Sequence, residues 1–502
     1  MKKHTSFLIL FLLAFTVCLA QEKPIKIPDQ PDADGRIIKG KANSWAFKAY
    51  MSTADLSDYH HASPEAVEAF KDMKYGIRIH WGIYSFYQGE SWILRNTSPG
   101  DPEGRGRKQD NSFVGFYHNI YKSWYPSAFD ADEWAGMFRD NGFKFFVFTT
   151  KHHDGFSMYD TKYKITKTWD FFGEDAGRII DCDLHYSIME TPLKRDVTRE
   201  LVDACRKEGL KIGLYYSHPD WFDADFRYDF NYPFFNKADT PESDPEAWER
   251  FKIRHTGQLK EILTNYGKID MLSLDMLFKE PVWPYMESLM RELRPIQPDC
   301  MYRWRGIGNY GDYHTPESYI PGVEEMGTMP WQVIHPLSQR KNFSYEPDTA
   351  WLEDGPWIVE NLVDIVSKGG NFMVGVGPDN TGVYHPRVLE SLEYAGDWLK
   401  VNGEAIYSTR PWTTYKEGEL VRFTRTKDEQ ILYAHSLEWP GDEFRSSLVS
   451  PTKGSKVYML GVDAALPWKM KSGQLVVSIP EELQQEENRP CKQVYVLKFR
   501  IK

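Results

Sequence analysis

A short hydrophobic run ends in a cluster of polar residues in the first third of the chain. Residues 144–148 are almost continuously apolar and rich in β-forming side chains, which predicts a strand covered on both faces in a parallel sheet. The chain then turns polar through Lys151, His152, His153 and Asp154. A solvated strand end is the alternative. Two adjacent histidines beside a lysine and an aspartate favour a functional site at the mouth of an α/β barrel.

Strand-like and helix-like patterns alternate from residue 63 to residue 401, with irregular connections at 96–111 and 159–193. The predicted strands cover residues 75–84, 144–148, 210–216, 269–274, 301–304 and 371–376. The predicted helices cover residues 63–71, 130–141, 195–208, 244–266, 285–293, 357–368 and 390–401. This alternation predicts a (β/α)8-like TIM barrel. A doubly wound open sheet is the structural alternative, but no glycine-rich nucleotide loop follows the first strand.

Beyond Tyr407 the period of the pattern changes. Short strand-like segments separated by polar turns cover residues 420–423, 430–435, 456–460, 474–479 and 493–501. They predict a C-terminal β-sandwich. We therefore divide the chain into a leader at 21–52, a catalytic barrel at 53–405 and a β-sandwich at 406–502, after an N-terminal segment at 1–20.

The N-terminal segment has the pattern of an export signal. Lys2 and Lys3 precede an apolar run at 7–19, and Ala20 offers a small residue at a cleavage site before Gln21. The run is short for a membrane span. Cys18 raises a lipoprotein alternative, which the bulky residues before it disfavour. We expect an exported protein, either periplasmic or secreted.

Composition narrows the choice of partner. The 502 residues carry a net charge of -11 and no long basic run, which argues against nucleic acid and against an anionic membrane surface. Aromatic residues make up 15% of the chain, which suits a carbohydrate site and equally a large core. Cys182, Cys205, Cys300 and Cys491 lack zinc-like spacing, so we expect free thiols, although a disulfide is left open. Oligomeric state is left open too.

Two carboxylates are candidates for the chemistry. Asp275 ends the apolar run 271–274, and Glu317 lies in a turn-rich loop after the following strand. A pair of carboxyl groups from neighbouring strand ends is what glycoside hydrolysis needs, one to attack the anomeric carbon and one to protonate the leaving oxygen. Each residue alone has a structural alternative: an aspartate at a strand end often caps a helix, and a glutamate after Thr-Pro often begins one.

Several short motifs occur along the chain in an order that is typical of one enzyme family. They are His80-Trp81-Gly82-Ile83-Tyr84-Ser85, Gly89-Glu90, Phe129-Asp130-Ala131 with Trp134, Gly142-Phe143-Lys144, Lys151-His152-His153-Asp154-Gly155-Phe156, Lys194-Arg195-Asp196, Gly213-Leu214-Tyr215-Tyr216-Ser217, Gly369-Gly370-Asn371, Gly377-Pro378, Asn402-Gly403-Glu404-Ala405-Ile406-Tyr407 and Arg410-Pro411-Trp412. In this order the chain resembles the retaining α-L-fucosidases, glycoside hydrolase family 29, over nearly its whole length after the leader.

The resemblance implies roles for particular residues. Asp275 aligns with the nucleophile and Glu317 with the acid/base, and Glu90 and Glu280 are the next candidates for the acid/base role. The residues implied to hold sugar hydroxyls are His80, His152, His153 and Tyr216. Those implied to line the pocket are Glu90, Trp92 and an arginine of the pair Arg303 and Arg305. No cofactor is implied.

Some positions depart from the family pattern. Ser273 stands where a Trp usually lies two residues before the nucleophile, and Met276 stands where Gly usually follows it. Gln332 stands where Glu usually follows Pro-Trp, and Ser91 separates Glu90 from its Trp. These departures leave the choice between L-fucose and L-galactose open. In the family the missing Trp contributes an apolar wall near C6 of the sugar. If Ser273 faces the core, Phe278 or Trp331 can take the place of that Trp and the preference stays with fucose; if Ser273 faces C6, galactosides become competitive. Linkage, aglycone and sulfation of the substrate are open as well.

The sequence thus predicts an exo-acting retaining hydrolase that releases terminal α-L-fucose from glycans. One alternative is an α-L-galactosidase acting on polysaccharide fragments, algal ones included. Another is an inactive carbohydrate-binding barrel, although both carboxylates are present. We expect no metal, because adjacent histidines on a strand point to opposite sides and are poor joint ligands. A serine hydrolase is excluded for want of a G-x-S-x-G motif.

Overall fold

A computed structural model describes residues 30–31, 37–38, 54–94, 111–172, 177–227, 240–278 and 280–501. The predicted signal at 1–20 and most of the predicted leader lie outside these ranges. Within them, no helix combines the length and the apolar character that a membrane crossing requires. The four cysteines of the described chain, Cys182, Cys205, Cys300 and Cys491, carry free thiols, as expected.

The described chain alternates strands and helices up to residue 402 and then forms strands. The helices are α1 (Pro64–Met73), α2 (Asn111–Asn119), α3 (Ala131–Asp140), α4 (Val197–Lys207), α5 (Pro245–Asn265), α6 (Trp283–Leu293), α7 (Gly355–Ser367) and α8 (Pro386–Asn402). The strands are β1 (Gln30–Pro31), β2 (Ile37–Ile38), β3 (Tyr75–Ile79), β4 (Phe145–Lys151), β5 (Ile165–Trp169), β6 (Ile179–Leu184), β7 (Lys211–Ser217), β8 (Met271–Asp275), β9 (Met301–Tyr302), β10 (Gln332–Pro336), β11 (Asn371–Val376), β12 (Arg410–Glu417), β13 (Val421–Arg425), β14 (Ile431–Ser436), β15 (Glu443–Ser446), β16 (Val457–Met459), β17 (Trp468–Lys471), β18 (Gln474–Ser478) and β19 (Tyr495–Arg500).

Seven parallel strands form the main sheet, in the order β10-β11-β3-β4-β7-β8-β9. The segment 313–317 joins its two ends. Tyr313 makes a parallel bridge to Arg303, just after β9, and Glu317 makes one to Ile334 on β10. The segment thus takes the place of an eighth strand, which confirms the predicted (β/α)8-like barrel.

Side-chain caps explain where the barrel helices begin. Ser63 accepts a hydrogen bond from the backbone N–H of Ala66 at 3.2 Å, and Asp130 accepts one from Glu133 at 3.0 Å. Such caps satisfy backbone donors that have no partner inside the helix. Helix α4 buries Val197, Leu201, Val202 and Cys205, the face that the sequence pattern predicts.

The C-terminal region consists of two antiparallel sheets packed around their own apolar core. Their strand orders are β12-β13-β14-β19-β16 and β15-β18-β17. The predicted β-sandwich is therefore confirmed. Helix α8 attaches it to the barrel, because the indole N–H of Trp398 donates to the carbonyl oxygen of Gln493 at 2.9 Å.

Several elements differ from the prediction. Residues 159–193 contain the antiparallel pair β5–β6 rather than an irregular connection throughout. Most positions of β6 are partly or fully exposed, so the apolar signal of a buried strand is missing. Residues 311–317 were predicted as a turn-rich loop, yet the part from 313 to 317 completes the barrel. Strand β10 was also missed.

Candidate active site

The carboxyl ends of the barrel strands bring the candidate residues together. His80 follows β3, His152 and His153 follow β4, and Asp275 ends β8. All four side chains are buried. Because parallel strands share one carboxyl edge, residues distant in sequence meet at the mouth of the barrel.

Both oxygens of Asp275 are held by fixed donors. The hydroxyl of Tyr215 donates to Oδ2 at 2.8 Å, and the backbone N–H of Met276 donates to Oδ1 at 2.9 Å. Nη1 of Arg305 lies 3.4 Å from Oδ1, and Nη1 of Arg303 lies 3.9 Å from Oδ2. This arrangement fixes one rotamer of the carboxylate at the mouth of the barrel.

The charges around Asp275 keep it ionised. Burial alone would raise the pKa of this carboxyl group. The positive charges of Arg305 and Arg303, with those of His153 and Arg78, outweigh burial and hold the pKa well below its usual range. Asp275 is therefore a carboxylate over the physiological pH range, as a nucleophile must be.

A single arginine nitrogen contacts both candidate carboxylates. Nη1 of Arg305 lies 2.6 Å from Oε2 of Glu317 and 3.4 Å from Oδ1 of Asp275. These two oxygens can therefore be no farther apart than the two distances together, 6.0 Å. Nη2 of Arg303 also contacts Oε2 of Glu317, at 3.2 Å. The two carboxylates face each other across one pocket, held by the two arginines.

A cluster of two histidines and a glutamate lies beside the carboxylates. Oε2 of Glu90 is 3.6 Å from Nε2 of His80 and 3.6 Å from Nε2 of His152. Oε1 of Glu90 accepts a hydrogen bond from the backbone N–H of Phe343 at 3.0 Å, and Ser91 bonds Nδ1 of His152. One ligand atom from each of the three residues lies within 4.8 Å of the others, so the cluster could hold a metal ion. It offers polar groups to a sugar hydroxyl equally well.

The adjacent histidines do not point to opposite sides, so that expectation was wrong. The rings of His152 and His153 have centroids 4.0 Å apart. Strand β4 has a register shift between Thr149 and Lys151 and ends at Lys151, so strict alternation stops before the histidines. His153 bonds Ser217.

Burial keeps two of the histidines neutral. It is the largest cause that lowers the pKa of His80 and of His152 well below the usual value, and neighbouring positive charges lower it further. A neutral imidazole has one donor and one acceptor nitrogen, which suits hydroxyl groups. Trp92 packs its ring against His153 at 4.6 Å between centroids and forms an aromatic wall.

The structure does not bring Tyr216 into this cluster. Its hydroxyl donates to Oε1 of Gln258 at 2.9 Å, and its ring lies 4.6 Å from Nζ of Lys151. Its neighbour Tyr215 occupies the inner side of β7, in contact with Asp275, and sequence reasoning missed it. Because side chains alternate along a strand, only one of the two tyrosines can face the pocket.

The proposed substitutes for the missing tryptophan lie elsewhere. Ser273 points into the barrel below Asp275, with Oγ 3.5 Å from Nη1 of Arg303. Phe278 packs against His218, with ring centroids 5.3 Å apart. Trp331 precedes β10 and therefore lies at the amino end of the strands, opposite the mouth.

A barrel whose mouth pairs two carboxylates in one pocket is typical of glycoside hydrolases. Comparison with known proteins specifies the family. The model of the family "Alpha-L-fucosidase" matches residues 42–404, and that of the "Alpha-L-fucosidase C-terminal domain" matches residues 416–500. The chain belongs to the α-L-fucosidase family, glycoside hydrolase family 29, and is a glycoside hydrolase of that type.

Individual relatives agree with this assignment. The chain is 28% identical to tissue alpha-L-fucosidase of Bos taurus, over 82% of this chain and 84% of the relative. It is 29% identical to plasma alpha-L-fucosidase of Pongo abelii, over 84% of this chain and 88% of the relative. Among solved structures, alpha-L-fucosidase isoenzyme 1 from Paenibacillus thiaminolyticus superposes with a TM-score of 0.69 at 26% identity, covering 87% of this chain and 99% of that chain. An alpha-L-fucosidase from Bacteroides thetaiotaomicron, solved as a trapped covalent intermediate, has a TM-score of 0.68 at 21% identity, covering 89% of this chain and 98% of that one.

Proposed function

We propose that the protein is an exo-acting, retaining hydrolase that releases terminal α-L-fucose from glycans through a covalent glycosyl-enzyme intermediate. The observation that carries this proposal is the contact of Arg305 with both Asp275 and Glu317. This contact limits the distance between Oε2 of Glu317 and Oδ1 of Asp275 to at most 6.0 Å. Retaining enzymes hold their carboxyl groups about 5–5.5 Å apart, whereas inverting enzymes need about 6.5–9.5 Å to admit a water molecule.

In the first step, Asp275 attacks the anomeric carbon of the fucoside. A bond forms between that carbon and a carboxylate oxygen, while the bond to the leaving oxygen breaks. Glu317 gives its proton to the leaving oxygen. In the second step Glu317 removes a proton from water, which attacks the same carbon and releases Asp275. Two displacements on one carbon return the original anomeric configuration.

Arg305 has to move or exchange partners during this cycle. In the free protein its Nη1 lies 2.6 Å from Oε2 of Glu317, an ion-pair distance. A protonated Glu317 has no negative charge to offer to the arginine. Nη2 of Arg303 lies 3.2 Å from the same oxygen. We therefore expect the substrate, when it enters between the carboxylates, to separate Glu317 from both arginines and leave them on Asp275.

The remaining pocket residues suit a sugar ring. Neutral His80 and His152, with Glu90 between them, provide donors and acceptors for neighbouring hydroxyls. The indole of Trp92 can cover an apolar face of the ring. An α-L-galactoside is less well supported, since the inward position of Ser273 removes the hydroxyl partner that C6 of galactose would need. An inactive barrel is not supported either, because both carboxylates lie in one pocket.

Two measurements test the function. The kcat/KM for an aryl α-L-fucoside should exceed that for an aryl α-L-galactoside. The reverse order would show that the preferred substrate is an α-L-galactoside. NMR of the first sugar released should show the α-anomer. A β-anomer as first product would contradict the covalent mechanism.

We also propose that the protein is exported, to the periplasm or the medium. The support is the basic start, the apolar run at 7–19 and the small residue before Gln21. Mass spectrometry of the mature protein should find Gln21 as its first residue. A chain that retains residues 1–20, or one that carries lipid on Cys18, would contradict this proposal.

A further inference from the structure

Arg78, on strand β3, is a buried arginine without a counter-ion. Its side chain is only 3% exposed. Among the residues that the structure describes, no carboxylate lies within ion-pair distance of it, and its Nε has no hydrogen-bond partner. Arg303 and Arg305, by contrast, both contact Asp275. A buried charge without a partner lowers stability, which indicates that the charge of Arg78 serves another purpose.

The guanidinium group of Arg78 faces two aromatic rings. Its Cζ lies 4.2 Å from the ring centroid of Tyr215 and 5.6 Å from that of Phe343. A cation over an aromatic face is attracted by the ring, and more strongly where water is excluded. Both rings are buried. Their faces therefore take the place of a counter-ion, and guanidinium groups stay charged in proteins.

Tyr215 connects this charge to Asp275. Its hydroxyl donates to Oδ2 of Asp275 at 2.8 Å. Burial and the negative charge of Asp275 raise the pKa of the Tyr215 hydroxyl, whereas the charge of Arg78 lowers it. A more acidic hydroxyl is a stronger donor to a carboxylate. Arg78 thus strengthens a hydrogen bond that favours the ionised form of Asp275.

We infer that Arg78 is a positioning residue that acts through Tyr215 and speeds the second step of the reaction, in which the bond between Asp275 and the sugar breaks. This inference rests on the proposed function. In that step the oxygen of water bonds to the anomeric carbon and its proton goes to Glu317. The electron pair of the broken bond returns to the carboxylate of Asp275. The charge of Arg78 stabilises the negative charge that forms there.

The charge of Arg78 affects the two steps in opposite directions. In the first step Asp275 begins as a full carboxylate and loses charge as it bonds to the sugar. Arg78 therefore stabilises the starting state of that step more than its transition state. In the second step the negative charge develops on Asp275, so Arg78 stabilises the transition state more. A residue that only held the shape of the pocket would affect both steps alike.

The test measures the two steps separately with 2-deoxy-2-fluoro-α-L-fucosyl fluoride. The rate at which this reagent inactivates the enzyme reports the formation of the glycosyl-enzyme. The rate at which activity returns after the reagent is removed reports its hydrolysis. In Arg78→Met the return of activity should be about tenfold slower, the effect of one buried cation–π contact. Inactivation should be as fast as in the wild type or faster. Arg78→Lys keeps the charge and should restore most of the return rate.

A second arrangement of arginine, tyrosine and aspartate provides the matched control. Cζ of Arg199 lies 4.5 Å from the ring centroid of Tyr266, whose hydroxyl donates to Oδ2 of Asp196 at 2.8 Å. Asp196 caps helix α4 and is not part of the pocket. Arg199→Met should therefore leave both rates unchanged. Arg78→Gln is a second neutral variant, and it gives the same comparison if Arg78→Met folds poorly.

The outcomes distinguish this inference from the proposed function. Neutral variants that slow both steps equally, or that match the wild type in both, would overturn the inference alone, since the wild type would still form and hydrolyse the glycosyl-enzyme. A return rate in Arg78→Lys as slow as that in Arg78→Met would also overturn it, because the charge would not be the cause. A wild type that forms no glycosyl-enzyme with the fluoride would contradict the covalent mechanism of the proposed function itself.

Discussion

The hydroxyl of Tyr215 donates a hydrogen bond to Oδ2 of Asp275 over 2.8 Å. Its neighbour Tyr216 donates instead to Gln258, at 2.9 Å. Two adjacent residues of the same type thus make one hydrogen bond each, one in the pocket and one behind it. This pair offers a matched comparison between a bond that orients the proposed nucleophile and a bond that supports the barrel.

Tyr215→Phe should lower kcat by roughly tenfold, the effect of losing one hydrogen bond to a charged group. A hydrogen bond to the ionised form lowers a pKa, so its loss raises the pKa of Asp275. Because Arg305 and Arg303 still hold that pKa well below its usual range, the loss should appear in kcat and not as a shift of the pH profile of kcat/KM. Tyr216→Phe should leave kcat in place and lower the free energy of unfolding by about 1 kcal/mol. The opposite result for the two variants would place Tyr216 in the sugar site.

Asp275→Gly should reduce kcat by about a thousandfold or more, since it removes the proposed nucleophile. Azide should restore part of the activity by attacking from the vacated side, and mass spectrometry should detect the glycosyl azide. The matched control is Asp270→Asn, which alters a carboxylate bonded to the backbone of Ile212 just before the same strand. It should keep wild-type kcat. Full activity in Asp275→Gly would assign the nucleophile to another residue.

Glu317→Ala should slow substrates with poor leaving groups far more than activated aryl glycosides. The reason is that only a basic leaving oxygen needs a proton in the transition state. The measurement is kcat/KM across a series of aryl α-L-fucosides of different leaving-group pKa, with the exposed Glu280→Ala as control. Equal losses across the series would move the acid role from Glu317, with Glu90 as the next candidate.

The sequence predicted the barrel because most of its strands are fully buried and therefore read as short apolar runs. It did not predict the closing segment, since 313–317 is rich in turn-forming and polar residues and is held by only a few backbone bridges. The residues of the site were likewise predicted only where local sequence pattern or resemblance indicated them. Asp275 and Glu317 were predicted from position and resemblance, and the structure brings them together. The choice between Tyr215 and Tyr216 depends on which face of a strand turns inward, and a single sequence does not fix that.

The contact of Arg305 with both carboxylates could not be predicted from the sequence either. Arg303 and Arg305 were both candidates for the pocket, and the structure places both there. Their distances to Asp275 and Glu317 depend on how the chain after β9 turns back toward β10. That turn is set by tertiary contacts of the closing segment rather than by local preference.

Lys74, just before β3, should make the stability of the protein depend on pH. Its side chain is fully buried, and its Nζ has no hydrogen-bond partner among the described residues. Burial, with the nearby charge of Arg410, lowers the pKa of Lys74 to about 7. Below that pH the folded protein must carry a buried charge. As the pH rises from 7 towards the unfolded pKa, the unfolded chain binds more protons than the folded one, so stability increases.

We expect the free energy of unfolding to rise by on the order of 3 kcal/mol between pH 7 and pH 9.5. Lys74→Met removes the titrating group, so the slope should flatten and the variant should be more stable than the wild type at pH 7. Lys71→Met, at a partly exposed position of α1, should keep the wild-type slope. Urea unfolding at a series of pH values measures the free energy of unfolding of the wild type and of both variants, and so gives the slope with pH and the stability at pH 7. A slope that persists in Lys74→Met would show that another group causes it, and an unchanged stability at pH 7 would show that the buried lysine carries no electrostatic cost.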